Sequence, residues 1–168
     1  LVAYTYMENT LNAPARSASS GLEVIFDDIG PEYIVQVYDP KLKFHGILVI
    51  DNTNLGLGKG GIRMTPTVNV VEVSRLARAM TYKNALAGLP FGGAKSGIIA
   101  DPKNMTAQRK KAIIQSFARM LRPLIPSKYI AGPDMNTTEK EMQQFAQAHG
   151  EWESTTGKPA TYCSSKGG

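Results

Sequence analysis

Segments of strand periodicity alternate with segments of helical periodicity along most of this chain. Residues 32–53, EYIVQVYDPKLKFHGILVIDNT, alternate apolar and polar side chains on both sides of an Asp-Pro turn, which predicts two paired strands. Residues 67–88 predict a helix that stops at Gly88 and Pro90. Short strands are predicted over residues 96–102 and 128–134, each followed by a helical pattern. This alternation indicates an α/β domain, with a mixed sheet flanked by helices.

The two later helices have distinct signatures. The first begins near Thr106 and carries a basic face, QRKKAIIQSFARMLR, opposite an apolar stripe. The second covers residues 137–152, with Thr137 or Thr138 as its N-cap and Glu141 placed for a capping box. We expect residues 1–20 to form a helix and a loop, residues 21–155 to form one domain, and residues 156–168 to begin a connection.

Length and composition place the chain among ordinary globular proteins. Its 168 residues suit one domain with a sizeable core, and 42% hydrophobic with 20% charged residues disfavours disorder. A single cysteine, Cys163, excludes an internal disulfide and fits a reducing compartment. The sequence has no apolar run of the ~20 residues that a membrane span needs, and its first residues lack the layout of a signal peptide. We therefore expect a cytoplasmic location without membrane contact.

The net charge of +5 raises the possibility of an anionic partner. Because no nucleic-acid module accompanies the basic helix, its charges are interpreted as a solvated face and no nucleic-acid partner is expected. His45 and His149 lack a second ligand three or four residues away, and one cysteine cannot make a thiolate pair. No metal site is predicted.

Two glycine-rich stretches invite comparison with nucleotide-binding loops, and neither fits. In GLPFGGAKSG, residues 88–97, Leu89 and Ala94 stand where a P-loop requires glycine. GLGKGG, residues 56–61, matches the letters of the dinucleotide fingerprint. Pro66 follows too early, however, for the helix whose N-terminus would hold the pyrophosphate. Neither stretch is expected to bind a nucleotide.

Three lysines occupy unusual positions instead. Lys83 continues the apolar stripe of its helix, where a charge must either extend outward to water or meet an anion. Lys59 and Lys95 lie in glycine-rich stretches interpreted as turns, where no side chain crowds an approaching ligand. Together they predict a pocket for a small substrate with more than one negative group. Asp134, at the end of a predicted strand, either completes this pocket or serves as a turn or helix-capping residue.

Three blocks in the sequence, GKGGIRMTP, MTYKNALAGLPFGGAKSGI and GPDMNT, resemble the substrate domain of the glutamate, leucine, phenylalanine and valine dehydrogenase family. The resemblance is strongest to glutamate dehydrogenase and extends over residues 22–159. It implies that Lys95 is catalytic and that Asp134 handles protons at the substrate nitrogen. It also implies that Lys83 binds the α-carboxylate and Lys59 the distal carboxylate. The surrounding glycines are expected to contact the substrate: Gly60, Gly61, Gly92 and Gly93.

The implied reaction is oxidative deamination of L-glutamate to 2-oxoglutarate and ammonia with NAD or NADP, by a homo-oligomer. The family's coenzyme domain, normally a further ~200 residues of βαβ units, is not represented in these residues. Hydride transfer by this chain alone is therefore not expected. The alternative is a non-catalytic oligomerisation module derived from the same domain. Ser96 and Gly58 depart from the family pattern, where glycine and proline are common, without disturbing the lysines.

Overall fold

A computed structural model describes residues 23–159. The helix and loop expected over residues 1–20 and the end of the expected connection, residues 160–168, lie outside the described residues. The sheet has five strands: β1 (Tyr33–Asp39), β2 (Phe44–Asn52), β3 (Gly58–Thr65), β4 (Gly92–Ile99) and β5 (Tyr129–Pro133). Their order in the sheet is β1-β2-β4-β3-β5.

The sheet is mixed, as the sequence predicts. β1 pairs with β2 antiparallel through the turn around Pro40, and β2 pairs with β4 antiparallel. β3 pairs with β4 and with β5 in parallel, so these three strands end at the same edge. Residues that follow β5 can therefore reach the same region as residues on β3 and β4.

Three helices cover the two faces of this sheet: α1 (Val70–Leu86), α2 (Ala107–Met120) and α3 (Glu139–His149). α1 packs on one face against β2 and β4, where its apolar contacts include Val73, Ala77 and Val49. α2 and α3 pack on the opposite face, in a larger core that contains Phe117 and Phe145. Thr138 is the N-cap of α3 and forms the predicted capping box with Glu141. The α/β class is confirmed.

Residues 58–61 and 92–97 of the glycine-rich stretches lie in strands, so the prediction of turns around Lys59 and Lys95 was wrong. β4 also begins at Gly92, four residues before the predicted strand. Glycine weakens a strand interior but is accepted where another backbone approaches closely. At Gly93 a Cβ atom would lie 2.1 Å from Thr81 Oγ1 and 2.2 Å from its backbone nitrogen. The glycines thus allow α1 to lie directly on β4.

The prediction that Lys83 lies on the buried face of its helix was also wrong. The buried positions of α1 include Val73, Ala77 and Asn84, and Lys83 is exposed. Leu76 and Met80, which set the predicted stripe, are only half-buried. The stripe follows one flank of α1 rather than the line of contact with the sheet.

Candidate active site

The candidate site lies on the face of β3 that runs beside the flank of α1. Because successive strand residues point to opposite faces, Lys59, Gly61 and Arg63 of β3 all point toward the face that carries α1. α1 packs chiefly on β2 and β4, so this part of β3 lies at the flank of the helix rather than beneath it. We call the four charged residues Lys59, Arg63, Lys95 and Asp134 the lysine–aspartate cluster.

Lys95 and Asp134 form the centre of this cluster. Lys95 lies on β4, where Gly93 and Gly97 are its neighbours on the same face, and its side chain is only 8% exposed. Asp134 directly follows β5, and its Oδ2 lies 3.1 Å from Lys95 Nζ. β3 separates β4 from β5, so the carboxylate reaches across that strand. Gly61 makes this possible, because a Cβ atom there would lie 2.7 Å from the Cβ of Asp134.

Lys59 belongs to the same face of the sheet. It is in register with Gly93 of the parallel strand β4. Gly93 and Lys95 are two residues apart on β4, so both point to the same face as Lys59. Its Nζ lies 4.5 Å from the centroid of the Phe91 ring, within the range of a cation–π interaction. The structure therefore places Lys59 and Lys95 on one surface, separated along the strands by the glycines.

Lys83 lies on the flank of α1 that faces β3. Glu72, Leu76, Met80 and Lys83 are spaced by four, four and three residues and so share one flank of α1. Glu72 on this flank accepts a hydrogen bond from Arg63 of β3, so the flank faces β3. Among residues 23–159 the ammonium of Lys83 makes no ion pair with the lysine–aspartate cluster. Its exposed position leaves it accessible to a ligand.

Arg63 is the residue of the cluster that sequence reasoning missed. Its Nε lies 2.9 Å from Asp134 Oδ2, and its Nη1 lies 2.7 Å from Glu72 Oε1. The signal was present in GKGGIR, since Arg63 follows Lys59 by four positions and a strand places both on one face. A turn has no such two-residue period, so the prediction of a turn here did not place Arg63 beside Lys59.

The cluster keeps Asp134 ionised. Burial by itself would raise the pKa of this carboxyl, but hydrogen bonds from Arg63 and Lys95 outweigh burial and lower its pKa below the ordinary value. Burial likewise opposes the charge on Arg63, while Glu72 and Asp134 raise the pKa of the guanidinium. A carboxylate held ionised beside an ammonium can exchange a proton with a substrate bound next to the pair.

The predicted glycines have packing roles in the structure. A Cβ atom would lie 1.6 Å from Ala94 O at Gly60 and 1.9 Å from Asn52 O at Gly92. Gly61 admits Asp134, and Gly93 admits α1. Contact between any of these four buried glycines and a substrate stays a prediction.

Two hydrogen-bond networks hold the backbone around the cluster. Tyr129 Oη donates to Gly60 O over 2.9 Å and accepts from Ser96 Oγ over 3.0 Å on the other face of the sheet. Burial raises the pKa of Tyr129, so its hydroxyl stays protonated as a donor. Thr137 Oγ1 donates to Ile62 O and accepts from the backbone N–H of Asp134, which fixes the loop after β5.

Other kinds of site have less support. Within the part of the chain that the structure describes, no group of three or more His, Cys, Asp or Glu side chains is arranged to hold a metal ion. No helix there is long and apolar enough to cross a membrane. Each glycine-rich stretch continues into a hydrogen-bonded strand and not directly into a helix, so neither offers the loop at a helix N-terminus that holds a dinucleotide pyrophosphate.

Fold and cluster together define an α/β domain with cationic side chains beside a partly buried carboxylate. Residues 31–150 match the Glu/Leu/Phe/Val dehydrogenase dimerisation domain. This chain belongs to that family, which confirms the resemblance seen in the sequence.

Its relatives include glutamate dehydrogenase A2 of Halobacterium salinarum, 36% identical over 157 residues, which cover 89% of this chain and 35% of the relative. Phenylalanine dehydrogenase of Lysinibacillus sphaericus is 36% identical over 88% of this chain and 38% of its own length. The hetero-hexameric glutamate dehydrogenase of Thermus thermophilus, in its leucine-bound form, superposes with a TM-score of 0.68 at 32% identity, over 88% of this chain and 35% of that one. The chain thus spans about a third of the relatives it matches.

Proposed function

We propose that this chain forms the substrate site of an amino-acid dehydrogenase that deaminates L-glutamate to 2-oxoglutarate and ammonia. The observation that carries the proposal is the contact of 3.1 Å between Lys95 Nζ and Asp134 Oδ2, inside a site lined by further cations. Family membership supports the reaction class, and Lys59 supports glutamate as the substrate.

Each residue has a distinct role in this proposal. Lys83, exposed on the flank of α1, binds the α-carboxylate of the substrate. Lys59 binds the distal carboxylate, from a position on the same face of the sheet as Lys95. This arrangement holds both ends of a dicarboxylic amino acid while its α-carbon lies near Lys95.

Lys95 and Asp134 then act on the atoms that react. Oxidation of the α-carbon gives a 2-imino acid, and water adds to that carbon before ammonia leaves. The ammonium of Lys95 stabilises the negative charge that develops on the added oxygen, and Asp134 receives and returns the proton at the substrate nitrogen. NAD or NADP is the proposed oxidant. We assign it no contact within residues 23–159, because the glycine-rich strands do not fit its phosphates.

The first experiment is calorimetric titration of the 168-residue chain with 2-oxoglutarate. Saturable binding that is lost in Lys95→Met is expected, because that lysine lies at the centre of the site. Arg119→Gln, on the exposed side of α2, is the matched control and should bind as the wild type does. Absence of binding by a folded wild-type chain would contradict the proposal.

A second experiment tests the complete reaction. The chain fused to the coenzyme domain of a relative should reduce NAD or NADP in the presence of L-glutamate, whereas the chain alone should not. Turnover by the chain alone would contradict the proposal that the coenzyme is bound by a separate coenzyme domain.

An oligomerisation module without catalysis is the second candidate, and the description of the matching family as a dimerisation domain favours it. Such a module has no need to bind 2-oxoglutarate. A chain that self-associates but fails to bind this ligand would therefore support the second candidate over the first.

A further inference from the structure

The two oxygens of Asp134 have different surroundings. Oδ2 receives two cationic donors, Arg63 Nε at 2.9 Å and Lys95 Nζ at 3.1 Å. Within residues 23–159, Oδ1 has no hydrogen-bonding partner. One oxygen is therefore occupied by the protein, while the other remains available to a ligand.

The two cations on Oδ2 are not equivalent. Arg63 has a second contact, from Nη1 to Glu72 Oε1 at 2.7 Å, so its planar guanidinium is fixed between β5 and the first turn of α1. The ammonium of Lys95 ends a flexible four-carbon stem, and Asp134 is its one ion-pair partner in the described part of the chain. Arg63 is thus the rigid partner of Asp134, and Lys95 is the partner that can move.

We propose that Arg63 is a positioning residue that holds Asp134 by Oδ2, so that Lys95 can leave the carboxylate for the substrate while Oδ1 faces the substrate nitrogen. This inference rests on the proposed function for the identity of the substrate. Without Arg63, movement of Lys95 would leave a partly buried carboxylate with no cation, which is unfavourable.

The first test measures the ionisation of Asp134 directly. The ¹³C resonance of its carboxyl carbon is followed against pH in the folded 168-residue chain and in two variants. In Lys95→Met the pKa of Asp134 should stay below its ordinary value, because Arg63 remains in place. In Arg63→Gln the pKa should rise by about one unit, a tenfold change in proton affinity. Arg63→Lys should restore part of the shift, because it keeps the charge but not the planar two-point contact.

The same variants test the alternative that Lys95, and not Arg63, is the permanent partner of Asp134. A larger rise in Lys95→Met than in Arg63→Gln would make Lys95 the permanent partner and overturn the proposal. If Arg63→Gln does not fold, Lys95→Met decides alone, since a pKa above the ordinary value there contradicts a holding role for Arg63. Arg119→Gln controls for the loss of one positive charge elsewhere on the chain.

The second test concerns Oδ1. L-Glutamate and glutarate share two carboxylates on a five-carbon chain, and only L-glutamate carries an amino group. Saturating L-glutamate should shift the Asp134 carboxyl resonance more than saturating glutarate, and Arg63→Gln should reduce this difference. Equal shifts with the two ligands in the wild-type chain would overturn the assignment of Oδ1.

The two proposals fail in different ways. The pH titrations need no ligand, so an absence of 2-oxoglutarate binding would contradict the proposed function and leave the role of Arg63 measurable. Normal 2-oxoglutarate binding with an unchanged Asp134 pKa in Arg63→Gln would contradict only the role of Arg63.

Discussion

At the scale of single residues, the charge state of the site depends on contacts between its side chains. Asp134 stays ionised because two cations offset its burial. Lys59 differs from Lys95 in its surroundings, because its ammonium lies against the ring of Phe91 and not against a carboxylate. In the proposed function, this difference separates Lys59, which selects the substrate, from Lys95, which takes part in the reaction.

Replacement of Lys59 tests this separation. A charge-assisted contact to a carboxylate contributes about 1.5 to 3 kcal/mol, so Lys59→Leu should weaken 2-oxoglutarate binding roughly tenfold to a hundredfold. The new apolar wall should at the same time favour 2-oxo acids with apolar side chains. Calorimetry with 2-oxoglutarate and 2-oxohexanoate measures both effects.

The matched control is Lys128→Leu, because Lys128 also lies over an aromatic ring, 5.7 Å from the centroid of Tyr33, outside the site. It should leave both affinities unchanged. An equal loss for both ligands in Lys59→Leu would assign that lysine a general rather than a selective role.

At the scale of the elements, the position of α1 depends on glycine in the strand beneath it. A methyl group at Gly93 would overlap the side chain and backbone of Thr81. Gly93→Ala should therefore force α1 away from β4 and lower the free energy of unfolding by about 1 to 3 kcal/mol. Gly132→Ala is the control, since the nearest atom to its new methyl group lies 3.5 Å away. Urea unfolding curves give both values, and equal stability of the two variants would contradict this account.

His149, the last residue of α3, is expected to make the stability of the chain depend on pH. Burial lowers the pKa of His149 below its ordinary 6.5, helped by Arg122 and only partly opposed by Glu151 and the backbone of Ile125. The unfolded chain then binds a proton more readily than the folded chain. Stability from this residue is present above pH 6.5 and is lost as the pH falls toward the lower pKa of the folded state.

Replacement of His149 tests this dependence. His149→Phe keeps a ring beside Phe145, on which His149 stacks, and removes the titrating group. Unfolding measured at a series of pH values below 6.5 should show a shallower loss of stability in the variant than in the wild type. His45→Phe is the control, because His45 is an exposed residue on β2. An equal slope in wild type and His149→Phe would contradict the assignment.

At the scale of the whole molecule, the chain leaves large apolar side chains in water. Tyr82 and Leu86 of α1 are 50% and 89% exposed, and Leu55 and Leu89 on adjoining loops are 52% and 43% exposed. Exposed apolar surface of this kind favours association. We expect the chain to self-associate, as the resemblance to a dimerisation domain also implies. Light scattering over a concentration series measures this, and a constant mass of 18.2 kDa would contradict it.

The fold class and most of the elements followed from local periodicity in the sequence. The hairpin of β1 and β2, the three helices and the capping box at Thr138 each depend on residues within a few positions of one another. The blocks containing Lys59, Lys83 and Lys95 also identified the family. Local patterns suffice for these features because helix and strand periods are properties of the backbone itself.

The assembly of the site depends on contacts between segments that are distant in the sequence. Arg63 and Asp134 lie 71 positions apart and meet because β3 and β5 are parallel neighbours. Lys83 is exposed because burial of a helix flank depends on where the helix lies on its sheet, which no local pattern records. The glycines that suggest turns lie in strands, at positions where another backbone or a helix approaches too closely for a side chain to fit. The identity of each charged residue can be read from the sequence, whereas the packing of distant segments determines which of these residues touch.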